Sequence, residues 1–218
     1  MTKLSGRWRP LLLTALFCGL RSSELRGPRW QDVDFDKREV HVRQRADRYH
    51  TIGRPKSESG ERAIPMLPLV LNALREWKLA CPRRDTGRRD EEGEPIGELH
   101  YVFPNRKGNL ESHANIITRG WWPAQVAAGI SVSTVDGKGE QVARAKYTGL
   151  HTTRHFFASW CINRKADGGL ELPAKVVQER LGHSNITMTL DTYGHLFPRA
   201  DDRDELEAAE RAFLQTTR

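Results

Sequence analysis

Cysteine is scarce in this chain. The three that occur, Cys18, Cys81 and Cys161, form no CxxC pair and are odd in number. A disulfide framework is therefore not expected, and Cys18 and Cys161, set in apolar helix-like surroundings, read as reduced core residues. Long apolar runs are also missing. The longest, Leu11 to Leu20, is broken by Thr14 and Gly19 and is too short to span a bilayer. Basic residues from Lys3 to Arg9 precede it, but no small-residue cleavage pattern follows and Arg21 and Glu24 come at once, so a secretory signal is not expected either. No internal repeat and no low-complexity segment is present. These absences leave a protein expected in the cytoplasm, with no membrane partner.

What is abundant is charge, and it is unbalanced. The 35 Lys and Arg outnumber the 28 Asp and Glu, a formal charge of +7 on 218 residues. That sign favours a polyanionic partner, nucleic acid first. The length suits one generous domain.

Local patterns predict a mostly helical chain with a small sheet. Pro10 to Leu20 reads as a buried helix stopped at Gly19, and Ser22 to Glu24 as the acidic first turn of a second. Trp30 to Asp36 reads as a loop. Glu39–Arg43, with Val40 and Val42 on one face, and Arg62–Met66 read as strands of a small antiparallel sheet joined by a basic loop. Leu67, Val70, Leu71, Leu74 and Trp77 mark one helix face. The charged, glycine- and proline-containing stretch 81–98 reads as a surface loop, Tyr101–Phe103 as a third strand, and 112–128 as a helix interrupted near Pro123. Stretch 131–146 reads as a polar linker or loose hairpin around Asp136-Gly137. From Thr152 onward the chain is nearly all helix, with a last helix over 203–216.

Three segments concentrate chemistry. In Gly19-Leu20-Arg21-Ser22-Ser23-Glu24-Leu25, Arg21 lies between one helix end and the next helix start, a place suited to holding a phosphate. Taken alone, it reads first as a surface arginine paired with Glu24. In His151-Thr152-Thr153-Arg154-His155, Arg154 is one helical turn from His151, so both can face one ligand. His151 and His155 also have metal-chelating spacing. No glutamate follows the first histidine and a cation beside Arg154 is unfavourable, so no metal or other cofactor is expected. His155 reads as a helix residue engaged in a core hydrogen bond. In the third segment, His183 projects after Gly182, and Tyr193 follows along the next helix.

Together these segments resemble the tyrosine recombinases, or phage integrases, from about Leu11 to Pro198. The boxes are CGLR at Cys18–Arg21, HTTRH at His151–His155, LGH at Leu181–His183 and TYGH at Thr192–His195, in the family's order. The resemblance implies an α+β, mainly α-helical catalytic fold over 1–218 with a small antiparallel sheet on one side. It implies cleavage and rejoining of double-stranded DNA through a 3′-phosphotyrosyl intermediate. Tyr193 is then the nucleophile, Arg21 and Arg154 the clamp on the phosphate oxygens, and His151 and His183 the hydrogen-bonding or proton-transferring imidazoles, their roles undivided. The family also uses a lysine between two strands, which points to Lys56 as general acid, although the register allows Arg54 or Arg62. A homo-tetramer on DNA is implied, with the C-terminal helix docking in trans through Leu206, Ala209 and Phe213 or packing on its own domain.

The resemblance also implies an N-terminal DNA-gripping domain, for which no room is expected in this sequence, whether as an isolated fragment or a natural truncated member. Three rival readings stand beside the recombinase. One is a topoisomerase-like relaxer with the same chemistry. Another is a DNA-binding module with a dead site, and the last is a zinc hydrolase built on His151, His155 and His183.

Overall fold

The computed structural model describes residues 6–197 and 203–215. Its centre is α1 (Trp8–Cys18), buried on nearly every side, with Leu11, Leu12, Leu13, Ala15, Phe17 and Cys18 all in the core. Each large apolar side chain so buried is worth roughly 1.5–3 kcal/mol of transfer free energy. The helix stops at Gly19, whose φ of 59° is left-handed. A Cβ added there would lie 2.2 Å from Phe157 Cδ1, so this position needs glycine for space as well as for conformation. A short helix, α2 (Ser22–Arg26), follows directly.

The sheet forms next. Strands β1 (Val33–Asp34), β2 (Glu39–Val42) and β5 (Arg62–Pro65) lie in the order β1-β2-β5, all antiparallel, with Val40 opposite Val33 on one side and Ile64 on the other. Val33, Val40, Val42 and Ile64 are the residues it buries; of these, Val40 and Val42 are the alternation legible in the sequence. Between β2 and β5 runs a two-stranded ribbon, β3 (Arg45–Ala46) with β4 (Ile52–Gly53). Helix α3 (Pro68–Ala80), with proline at its first position, covers the core through Val70, Leu71, Ala73 and Leu74.

Several expectations are corrected here. Stretch 81–98 is at the surface, but it is a hairpin, β6 (Arg84–Arg89) against β7 (Pro95–Glu98). Its turn is held by the Asp90 carboxylate, which accepts from the amides of Glu92 and Glu94 at 3.1 and 2.8 Å. Tyr101–Phe103 forms no strand; Tyr101 makes one isolated bridge, to Arg29. Trp30–Asp36 is not a plain loop, since it holds a 3-10 turn at Trp30–Asp32 and then β1. The irregularity near Pro123 lies before the proline. After α4 (His113–Asn115), residues Ile116–Trp121 widen into a π-helix, and α5 (Trp122–Ala127) resumes with Pro123, which has no N–H to give to the preceding turn.

Stretch 131–146 is a well-paired hairpin, β8 (Ser131–Val135) with β9 (Gln141–Ala145), five residue pairs in register.

The last part is helical. Helices α6 (His151–Ile162), α7 (Ala174–Leu181) and α8 (Ile186–Tyr193) share a second core of Phe157, Ala158, Cys161, Ile162, Val177, Leu181 and Tyr193. It meets the first where Phe17 of α1 packs edge-on against Phe156 and Trp160 of α6, with centroids 6.0 and 5.5 Å apart. Asn185 caps α8 by accepting from the Met188 amide at 2.9 Å. Helix α9 (Arg203–Gln215) carries exposed Leu206, Phe213 and Leu214. Among the described residues, no helix is long and apolar enough to cross a membrane.

Candidate active site

Two helix ends organise the site. Arg154, in the first turn of α6, is only 2% exposed, yet no carboxylate touches it among the described residues. Its Nη1 donates to the carbonyl of Gly19, at the end of α1, at 2.7 Å, and its Nη2 donates to the carbonyl of Leu181, at the end of α7. Arg21 does the same beside it, donating through Nη2 to Gly182 O at 3.0 Å. Helix C-termini carry partial negative charge, so these carbonyls are where a guanidinium is favoured. The two bonds occupy part of Arg154's five-donor fork and leave other N–H groups for an anion. Burial first, and then repulsion from Arg21, pushes Arg154 down to about 9, so it stays charged at neutral pH.

Glu24 sets the second arginine. It is 2% exposed and accepts from Arg21 Nη1 at 2.7 Å, from the Arg21 amide at 2.9 Å and from Arg62 Nη2 at 3.0 Å. Burial raises its pKa, but Arg62 and Arg21 outweigh burial, and the net shift is downward. Arg62 in turn donates through Nε to Arg180 O at 2.7 Å, tying β5 to α7. Arg62 is thus part of the scaffold behind the site. The sequence offers Glu24 only as a surface partner of Arg21, and Arg62 only as an alternative to Lys56; the supporting part both play behind the site comes from the fold.

His183 follows Gly182, which ends α7 with a φ of 63° and would bring a Cβ within 2.8 Å of Ser59 O. The ring is fixed by Nδ1 against Thr189 Oγ1 at 2.9 Å. Burial, and then the charges of Arg154, Arg21 and Arg62, push it down to about 4, so it is neutral at physiological pH. His151, the first residue of α6, is also shifted down, by burial and then by His155, Arg154 and Arg21.

Tyr193 closes the group. Its ring belongs to the second core and is 5% exposed. Its hydroxyl lies 2.9 Å from His155 Nδ1. Burial raises the phenol, with Arg154 opposing. His155 is not itself a buried residue: it is at the surface, edge-on to His151 with centroids 4.7 Å apart, and its hydrogen bond runs to this hydroxyl. That corrects the sequence expectation. Nothing in the local sequence distinguishes a histidine that meets a tyrosine 38 residues away.

A cavity of about 420 Å³ is lined by Arg21, His151, Arg154, His155, His183, Tyr193 and the α8 residues Met188, Asp191 and Thr192. Five of the six residues singled out from the sequence therefore meet at one place. Lys56 does not line it; it is exposed on the 54–61 segment. Among the described residues no group of three or more His, Cys, Asp or Glu is placed to hold a metal ion, and His183 is already engaged with Thr189.

One buried and one half-buried guanidinium, the neutral imidazoles of His151 and His183, and a phenol line one small cavity, a set of groups suited to holding an anion beside a nucleophile. The chain belongs to the phage integrase family, whose model matches residues 2–199. It is 28% identical over 205 residues to the tyrosine recombinase XerC-like protein of Caldanaerobacter subterraneus subsp. tengcongensis, covering 88% of this chain and 46% of that protein. It is 31% identical to tyrosine recombinase XerC of Xylella fastidiosa strain 9a5c, covering 89% and 50%, and 31% identical to the transposase from transposon Tn916 of Enterococcus faecalis, covering 84% and 41%. The chain thus spans about half the length of these curated relatives. Among solved structures, the Tn1549 transposon integrase in complex with circular intermediate DNA superposes with a TM-score of 0.62 at 27% identity, over 93% of this chain and 59% of that one. XerA recombinase shares the fold, with a TM-score of 0.54 at 18% identity over 97% and 56%.

Proposed function

We propose that this chain is the DNA-cleaving and rejoining part of a site-specific recombinase, with Tyr193 as nucleophile. The observation that carries the proposal is that Tyr193 lines the same small cavity as Arg21 and Arg154, the two guanidiniums held at helix ends. The Tyr193 oxygen attacks phosphorus in line with the 5′ oxygen. Charge building on the non-bridging oxygens is met by Arg21 and Arg154, whose positions are fixed before DNA arrives. His183, neutral and clamped by Thr189, and His151 add hydrogen bonds to the same oxygens. The bond to the 5′ oxygen breaks, a bond from phosphorus to the tyrosine oxygen forms, and the 5′ oxygen leaves with a proton. Lys56 is the proposed donor of that proton. Its support is that Ser59, three residues on in the same segment, packs against Gly182 beside the cavity. The 3′-phosphotyrosyl bond keeps the energy of the broken one, so rejoining needs no ATP.

Double-stranded DNA in the cytoplasm is the proposed partner, and a homo-tetramer the proposed assembly. Exposed Leu206, Phe213 and Leu214 on α9 support docking of that helix on a neighbouring copy. The test is covalent trapping: the protein is mixed with supercoiled plasmid and with a pool of nicked duplexes of random sequence, stopped in detergent and examined for protein-linked DNA. An adduct lost in Tyr193→Phe is expected. Wild-type protein that binds DNA and never forms an adduct speaks for a binding module instead. Plasmid relaxation without exchange between two sites speaks for the topoisomerase-like rival.

A further inference from the structure

Three imidazoles line the cavity, and they are not equivalent. His183 has its Nδ1 committed to Thr189. His151 presents its ring to His155, edge-on at 86°. Only His155 meets the phenol, with Nδ1 at 2.9 Å from the Tyr193 hydroxyl and the rings 5.6 Å apart. Tyr193 has its ring in the core, and burial, partly offset by Arg154, keeps its hydroxyl protonated at neutral pH. The hydroxyl is then the donor, and His155 accepts with Nδ1 while carrying its own proton on Nε2. A protonated phenol is a poor nucleophile, so attack requires that its proton go somewhere as the bond to phosphorus forms.

We propose that His155 is the general base of this site, taking the phenolic proton of Tyr193 onto Nδ1 as the tyrosine oxygen attacks. The inference rests on the recombinase reading and divides the labour among its imidazoles: His155 serves the nucleophile, while His151 and His183 serve the phosphate. In the forward step the O–H bond of Tyr193 breaks, its proton moves to Nδ1, and the freed electron pair forms the oxygen–phosphorus bond. In rejoining, the 5′ hydroxyl gives its proton back to the neutral Lys56 amine as its oxygen bonds to phosphorus, the phosphorus–tyrosine bond breaks, and imidazolium His155 returns its proton to the departing phenolate. Two features suit the role. His155 lies at the surface, so its charge is solvated and its proton can exchange with water. It is also carried on the same helix as Arg154, one residue on, so base and clamp are positioned by one rigid element.

The test is single-turnover adduct formation on a nicked duplex chosen by the trapping experiment, followed as a function of pH. Wild-type protein, His155→Gln and His151→Gln are compared. The charged and titratable groups facing His155 across the cavity are Arg21, His151, Arg154, His183, Asp191 and Tyr193, so the profile is read as a difference between variants. Wild type is expected to gain rate with rising pH as the base loses its proton and then level off. His155→Gln is expected to be slower by about 100-fold or more and to lose that rising limb. His151→Gln is expected to be slower with the limb retained. The His155→Gln defect is expected to persist on a duplex whose 5′ bridging oxygen is replaced by sulfur, since a better leaving group does not help deprotonate the nucleophile. Retention of the limb in His155→Gln, a rate within about twofold of wild type, or recovery on the sulfur-bridged duplex overturns the assignment to His155 alone. Failure of wild type to form any adduct overturns the recombinase reading, and this assignment with it.

Discussion

Arg154 is hydrogen-bonded at 2.7 Å to the carbonyl of Gly19, 135 positions earlier in the chain, and the same guanidinium reaches Leu181 on its other side. One side chain thus pins the ends of two helices while facing the cavity. Lysine keeps the charge and loses the fork. Arg154→Lys is therefore expected to lower the rate of adduct formation by about 100-fold or more and to cost roughly 1–3 kcal/mol of stability through the orphaned carbonyls. Single-turnover trapping and thermal melting check the two halves separately. A variant that cuts at near wild-type rate rules out the clamp.

Glu24 is the counter-charge for two arginines at once. Removing it as Glu24→Ala leaves Arg62, whose side chain is 7% exposed, without its carboxylate. Breaking one side of a buried ion pair costs about 3–5 kcal/mol. Chemical denaturation is expected to show a loss of that size. DNA cleavage is expected to fall as well, because Arg21 loses the contact at 2.7 Å that orients it.

Stability is expected to decline on the acid side of neutrality. His183 is held down to about 4, while an unfolded imidazole titrates near 6.5. As pH drops through that window, the unfolded chain takes up a proton that the folded chain refuses, which favours unfolding by up to about 3 kcal/mol at its lower end. The downward shift of His151 acts in the same direction. Glu24 adds a later loss: its contribution is complete above the ordinary carboxylate range and disappears as pH falls through its depressed folded value. Melting temperatures between pH 7.5 and 4.5 test this, with His183→Gln expected to flatten the upper part of the curve. A flat wild-type curve would contradict it.

Lys56, exposed and outside the cavity lining, is expected to act only when DNA draws its segment inward. Lys56→Ala is expected to slow adduct formation by about 100-fold on ordinary duplex and to be largely restored on the sulfur-bridged duplex, whose leaving group needs no proton. An unrestored defect would move Lys56 from proton donor to DNA contact.

The residues buried by periodic patterns were the legible part of the fold. Val70, Leu71 and Leu74 announce α3, Val40 and Val42 announce β2, and Gly19 and Gly182 mark their helix ends because a left-handed residue there has few alternatives. The β6–β7 hairpin was not legible, because it buries almost nothing. Arg84 to Arg89 shows no apolar alternation, and backbone bonds with an Asp90 turn hold it. The π-helix at Ile116–Trp121 has no compositional mark either. In the site, Arg21, His151, Arg154, His183 and Tyr193 could be picked out because they fall within recognisable boxes. His155 sat inside one of those boxes and was still misread. Its partner is supplied by α8, and the meeting of α6 with α8 is a tertiary fact.

The anchoring of Arg154 to both Gly19 and Leu181 has a bearing on how the chain comes into being. During synthesis the guanidinium emerges long before Leu181, and the phenol of Tyr193 follows later still. A growing chain at the ribosome therefore lacks the second anchor of Arg154 until α7 is complete, and the attacking phenol until α8 has been made. On the proposed function, such a chain has no nucleophile to turn on duplex until Tyr193, the last residue of α8, has been made.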